Sequence, residues 1–496
     1  MSLKEKAISG AKWTTVSTII TAIVQMLRLM ILTRFLDKEE FGIVAIITFV
    51  LGLTYTFSDI GFSAAIMHKK DIEVKEFSSL FWIQFLIFFV IYIILSCLSP
   101  LVASFYNEKA ITYLMPVALI DLVLSGFGKL YDTVLQKRML FRVIALRNII
   151  SAFCSVIVAF VLAYMGFGIY SMIISALSQT VINNFWNFIC GQREYKIQLF
   201  CSVNKVKPYF KIGIFQTGTQ IIDYFCAKLD ILIIGKFLGS EMLGVYSLAK
   251  EIVLKLVLVI NSIVNKVALP VLSHNNTNND ILRTQYCKML NLLSLINFPI
   301  NVFFCVFSTQ IVVLFYGQKY SDVVPLVSIF ALYGILLSIG NLIGNIAIAK
   351  GRTDISFRYV IIRCIVSTII ITITTLYSIQ FVAWGQVLLA LIMFFIGWKM
   401  LLKKLIQLSI FRYLKPFRSI GFISLIMVIS FFVIIHCNIF DITGPFYQLI
   451  IYGIIFVLTY TLLVYFFMRD EVFILIKEFS NNKNGSIQQK KYSMTK

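Results

Sequence analysis

Charge is scarce in this sequence. Only 14% of its 496 residues are Asp, Glu, Lys or Arg, against roughly a quarter in soluble domains. A chain this poor in charge cannot clothe a water-facing surface, which excludes an ordinary soluble protein. Acidic residues are the scarcer kind, 23 against 44 basic ones, for a net charge of +21. Such an excess would suit nucleic acid. Here the basic residues sit in short clusters between apolar runs, where a membrane protein carries its loop charges, so nucleic acid is excluded as a partner. Histidine occurs three times, at scattered positions, and the nine cysteines form no CxxC pair. No metal centre is expected. Most cysteines fall within apolar runs and read as small buried hydrophobes. No GxxxxGK[ST] loop occurs, which argues against direct ATP use. No cleavage motif follows the basic start, so the first apolar run reads as a retained helix.

What the chain has in abundance is apolar sequence. Hydrophobic residues make up 59%, and the mean hydropathy is +0.90. A bilayer core takes about 20 apolar residues per helix. Between residues 11 and 468 the sequence divides into fourteen such segments. Two of them, 356–378 and 380–402, have almost no linker. With the N-terminus inside, 33 of the 44 basic residues fall on the cytoplasmic side and five on the outer side. That bias places both termini in the cytoplasm and favours an even number of spans. The proposed outer loops are short and leave no room for an outer domain.

The segments repeat. LTRFLDKEEFG at 32–42 returns as IGKFLGSEMLG at 234–244, an offset of 202 residues. Pro116 and Pro325 hold similar places further along. Phe141-Arg142 with Arg147 returns as Phe357-Arg358 with Arg363. The expected fold is therefore all-α, a polytopic membrane protein of about 14 transmembrane helices. Two six-helix lobes form a parallel repeat, followed by two extra helices. The N-lobe covers 1–190, a cytoplasmic linker 191–208, the C-lobe 209–402, the extra helices 403–470 and a polar cytoplasmic tail 471–496. The tail beyond about 477 has a disordered composition. Parallel halves of this kind are typical of transporters, which bind substrate between them.

Ionisable residues within spans are costly and mark cavities. The basic ones are Arg28, Lys129, Lys228, Lys250, Lys255 and Lys266. The acidic ones are Asp59, Asp121, Asp132, Asp223, Asp230 and Glu251. Lys129, Asp132 and Lys266 lie near span ends and are able to snorkel. Glu251 and Lys255 form an i,i+4 pair. The 202 offset maps Arg28 onto Asp230. These two either form an outer gate or pair within their own halves, Asp230 for example with Lys228. Arg28, Lys228, Lys250 and Lys255 offer cations for a diphosphate, with Asp223 on the same helix face as Asp230.

Four stretches, SDIGFSAAIM (58–67), LDILIIGKFLG (229–239), LGVYSLAKEI (243–252) and ALPVLS (268–273), carry a family resemblance. In this order and spacing the chain resembles the Wzx-type polysaccharide and O-antigen flippases, a branch of the multidrug/oligosaccharidyl-lipid/polysaccharide (MOP) superfamily. The resemblance covers roughly residues 1–470. It implies a transporter and not an enzyme. It further implies two lobes around a cavity and transfer of an undecaprenyl-diphosphate-linked oligosaccharide across the bacterial inner membrane by alternating access. Membrane lipids and a polysaccharide polymerase machinery would be its partners. Arg28, Lys228, Lys250, Lys255 and Asp223 are the residues that would meet the head group. Asp59 and Gly61 belong to the second-span motif and would order the end of that helix. No cofactor is implied, and an acid such as Asp223 or Asp230 is a candidate for H+ or Na+ coupling. Two alternatives within the superfamily are a lipid II or teichoic-acid-type flippase and a MATE-like ion-coupled drug antiporter. A membrane glycosyltransferase or polymerase is disfavoured by the short outer loops.

Overall fold

The computed structural model describes residues 3–58, 62–69, 72–274, 278–436 and 444–493. Among these there is no strand. Fourteen helices have 18 or more residues. We number them α1 (Leu3–Leu32), α2 (Lys38–Ser58), α3 (Val74–Tyr106), α4 (Ile111–Lys137), α5 (Phe141–Tyr164), α6 (Tyr170–Gly191) and α7 (Val203–Phe237). They continue as α8 (Gly239–His274), α9 (Asn279–Val306), α10 (Val323–Gly340), α11 (Thr353–Thr375), α12 (Ile379–Gly397), α13 (Ile410–His436) and α14 (Pro445–Ser493). The number and order match the fourteen segments expected.

Twelve of these regions are long and apolar enough to cross a membrane. The other two are α6 and α7. Helix α6 is interrupted by Ser175, Ser178, Gln179, Asn183, Asn184 and Asn187, and α7 begins with Lys205, Lys207 and Lys211. Only three residues separate α11 from α12, which is the near-linkerless pair seen in the sequence. Helix α14 has a non-helical residue at Met468 and then runs on to Ser493. Residues 477–493, whose composition suggests disorder, continue this helix.

The chain forms two compact units. The first comprises residues 1–259, 315–326 and 360–389, and the second comprises 260–314, 327–359 and 390–496. In the first unit, α1 packs on α5, α3 on α4, α4 and α5 on α6, and α2 on α7. Helices α3 and α11 show why apolar residues dominate the outside. Leu86, Phe89, Val90, Ile93 and Ile94 are exposed on α3, and Ile361, Ile365, Ile369 and Ile373 on α11. An i,i+4 stripe of exposed isoleucines is what a lipid-facing helix presents. In the second unit, α9 packs on α13 and α14. Helix α9 starts at Asn278, whose side chain accepts from the amides of Asp280 and Ile281 at 2.9 and 3.2 Å. This satisfies two of the donors that a helix N-terminus leaves open.

The connector between α6 and α7 is held down. The Tyr131 hydroxyl donates to the Tyr195 carbonyl at 2.9 Å, and the Trp82 indole donates to the Gln198 carbonyl at 3.0 Å. Ser78 Oγ accepts from the Gln198 amide at 3.0 Å. Phe77, Phe81 and Tyr131 form the apolar core beneath.

At the end expected to face outward, the first unit is closed by its turns. Tyr320 donates to the Leu36 carbonyl at 2.8 Å. Lys38 pairs with Asp322, Ser240 with Glu108, and Lys236 donates to the Phe105 carbonyl at 2.6 Å. The two copies of the repeat meet here, as α2 and α8 cross through Gly42 and Gly244.

Candidate functional site

A cavity of about 350 Å³ opens in the first unit. Helix α2 lines it with Phe41, Val44, Ala45 and Thr48, and α8 lines it from Tyr246 to Leu258. Its charged wall is Lys228, Lys250, Glu251 and Lys255. Lys250 and Lys228 project from different helices, yet each is near enough to act on the other's charge. Like charges are brought together only where something compensates them.

Asp230 is that compensation. It is 1% exposed and sits behind the lysines. Its carboxylate accepts from Lys250 Nζ, from the Tyr246 hydroxyl at 2.7 Å and, at 3.4 Å, from the Gln386 amide. Lys250 also lies over the Tyr246 ring, 5.4 Å from its centre. A buried carboxylate with this many donors fixes Lys250 in one place. Lys255 reaches back to Glu251 at 3.5 Å. This is a loose pair, which leaves the ammonium available to a ligand.

Not every expected residue joins this wall. Arg28 is half-buried and donates from Nη1 to Ser155 Oγ on α5 at 3.1 Å. Its Nε is buried and has no hydrogen-bond partner. Glu251 is close enough to act on the Arg28 charge. In this structure Arg28 and Asp230 are not bonded to each other. Asp230 pairs within its own half, but with Lys250 and not with Lys228. Asp223 lies elsewhere on α7 and accepts from Arg363 on α11 at 3.1 Å. The same two helices are joined by a disulfide between Cys226 and Cys364. Those two cysteines are cross-linked, whereas cysteines in apolar runs read as simple buried hydrophobes. Asp59 and Gly61 lie outside the described residues.

Tyr246 and Gln386 are the site residues that sequence reasoning missed. Tyr246 stands four residues before Lys250, one helical turn, which was the available signal. Gln386 sits in an apolar helix, and no local pattern links it to Asp230. Asp132, read as a snorkelling residue, instead holds the buried Arg147 at 2.7 Å. Among the described residues no group of His, Cys, Asp and Glu could hold a metal ion.

A polytopic helical protein with a charged cavity inside one unit has the make-up of a membrane transporter. A family model described as polysaccharide biosynthesis protein matches residues 31–325. The chain belongs to this family. It is 26% identical over 421 residues to the teichuronic acid biosynthesis protein TuaB of Bacillus subtilis, covering 84% of this chain and 87% of the relative. It is 27% identical over 363 residues to the lipopolysaccharide biosynthesis protein WzxC of Escherichia coli, covering 72% of this chain and 73% of the relative. Among solved structures it is similar to the lipid II flippase MurJ in an inward closed conformation. That match has a TM-score of 0.71 at 18% identity and covers 92% of this chain and 99% of the other. The shared fold is that of a multi-pass membrane protein.

Proposed function

We propose that this protein is a flippase for an undecaprenyl-diphosphate-linked oligosaccharide, the repeat unit of a surface polysaccharide. It moves the head group from the inner to the outer leaflet of the bacterial inner membrane by alternating access, with both termini cytoplasmic. The observation that carries this reading is the cavity wall of Lys228, Lys250 and Lys255 in a chain of the polysaccharide biosynthesis family. Three ammonium groups face the cavity while one of the two nearby carboxylates, Asp230, is buried behind them. The surplus is positive, which suits a diphosphate and disfavours a cationic drug. A polysaccharide polymerase would take the product on the outer side.

The likeness in fold to MurJ favours one second reading, a flippase for lipid II itself. Coupling to H+ or Na+ through Asp223 or Asp230 belongs to the proposal too. Vesicles holding the purified chain test these points together. Leaflet transfer of a lipid-linked oligosaccharide without a change in its mass is the expected result. Transfer of lipid II alone would move the assignment to the second reading. A covalently altered product would sink both. Dependence on an imposed pH or Na+ gradient would identify the coupling ion.

A further inference from the structure

The first unit contains a second cavity, of about 230 Å³, whose described lining residues are all of polar or charged types. Tyr55 comes from α2, Ser125, Lys129 and Asp132 from α4, Arg147 from α5, and Thr180 with three asparagines from α6. Among the described residues no aliphatic side chain contributes. Polar side chains among apolar helices are expensive and are kept for a use.

Internal bonding accounts for part of the cluster. Arg147 is held by Asp132 and Asn187. Tyr55 donates to Asp121 and contacts Ser125 Oγ at 2.6 Å. Asn183 and Asn184 are less completely bonded. Asn183 Oδ1 is buried and has no hydrogen-bond partner. The Asn184 amide donates to the Thr180 carbonyl at 3.0 Å and reaches Ser125 only at 3.5 Å. A purely structural network satisfies each buried acceptor, whereas this one leaves the Asn183 amide carbonyl unsatisfied beside the cavity. Lys129 lies 5.7 Å from the ring centres of both Tyr55 and Phe88.

The balance of charge selects the ligand class. Lys129 and Arg147 are offset by Asp132 and by Asp121 behind Tyr55. The cavity therefore has no strong preference for an anion, which the lysine wall already serves. A bare metal cation would meet two fixed positive groups. What remains is a set of amides and hydroxyls with fixed directions beside an aromatic ring. That is the complement of an uncharged, polyhydroxylated ring. The two cavities also share α2. Thr48 lines the first and Tyr55 the second, seven residues apart on one helix face and so about 10 Å along the axis. Gly52 lies between them, where a Cβ would run into the Tyr224 hydroxyl.

We propose that this second cavity is a subsite for neutral sugar residues of the transported glycan, set beside the diphosphate site along α2. The inference rests on the flippase reading and is tested separately from it. The full chain in lipid nanodiscs is titrated with three probes: undecaprenyl diphosphate, the same lipid carrying a neutral trisaccharide, and free maltotriose. Wild type is expected to prefer the glycosylated lipid over the bare lipid by about tenfold, the worth of one or two good hydrogen bonds. Asn183→Ala and Asn184→Ala should abolish that preference and leave the bare lipid within about twofold of wild type. Both replacements remove groups that anchor no buried charge, and a melting curve checks folding. Variants that bind all three probes like wild type, or weaken both lipids equally, overturn the subsite. Sodium chloride stabilising wild type over choline chloride, with that effect lost in Asn183→Ala and no sugar preference in wild type, overturns it in favour of a cation site. Maltotriose binding that Asn183→Ala removes, with neither lipid bound, keeps the subsite and sinks the flippase reading.

Discussion

Gly42 and Gly244 occupy equivalent positions in the two sequence repeats, and in the structure each faces the other's helix. A Cβ on Gly42 would run into the carbonyl oxygen of Ser240, and a Cβ on Gly244 into the carbonyl oxygen of Lys38. Lys38 and Ser240 are themselves 202 residues apart. The contact is thus its own image under the repeat. The glycines recur because α2 and α8 cross with backbone against backbone, where no side chain fits.

Replacing either glycine by valine should force the helices apart. Backbone cannot yield as a flexible side chain does, so the overpacking should cost about 1–3 kcal/mol. Gly421→Ala is the control, because nothing lies within 4 Å of its added Cβ. Thermal unfolding in detergent reads the difference. Equal melting temperatures for Gly244→Val and Gly421→Ala would show that the crossing does not hold this end together.

Lys250→Ala should strand the buried charge of Asp230. Breaking a buried pair on one side costs about 3–5 kcal/mol. The double change Lys250→Met with Asp230→Leu should recover most of that stability, because neither charge is left orphaned. Transport should stay low in both, since one of the three cations that face the cavity is gone. A double variant less stable than Lys250→Ala would refute the pairing.

Lys228 and Lys255 should act on the diphosphate as point charges. Lys228→Ala and Lys255→Ala are each expected to weaken binding of undecaprenyl diphosphate by about fivefold to twentyfold at low salt, with a smaller effect as salt screens the site. Titration in nanodiscs at two salt concentrations measures this. Salt-independent losses would point to damaged packing instead of lost charge.

The Cys226–Cys364 bond predicts a count. Thiol tagging of denatured protein should add two fewer tags before reduction than after. Cys364→Ser should remove that difference while leaving the other cysteines taggable. Equal counts before and after reduction would show that α7 and α11 are not cross-linked.

Much of the fold was legible in the sequence. Long apolar runs have few options in a bilayer, because each backbone amide must bond within its own helix. The number and order of the helices, and the meeting of hydrophobic faces with lipid, follow from that. The repeat was legible from Phe35, Leu36 and Gly42 against their partners, although its physical cause was not. Site residues were less legible. Lys228, Lys250 and Lys255 were readable because a lysine in an apolar run is conspicuous at any position. Glu251 was readable as the partner of Lys255, an i,i+4 pair on one helix, but the pairing of Lys250 with Asp230 was not, since a lysine does not announce which distant carboxylate it will meet.

The sequence by itself determined a multi-pass helical membrane protein and the set of charges it carries among its helices. Burial of apolar surface and satisfaction of backbone polar groups act along each segment, and both are written locally. Only the tertiary structure decided how those charges combine. Asp230 went to Lys250 and Tyr246, Asp223 to Arg363, and Arg28 to Ser155. Such pairings depend on which helix faces come together, a property of packing between distant segments that no local pattern encodes.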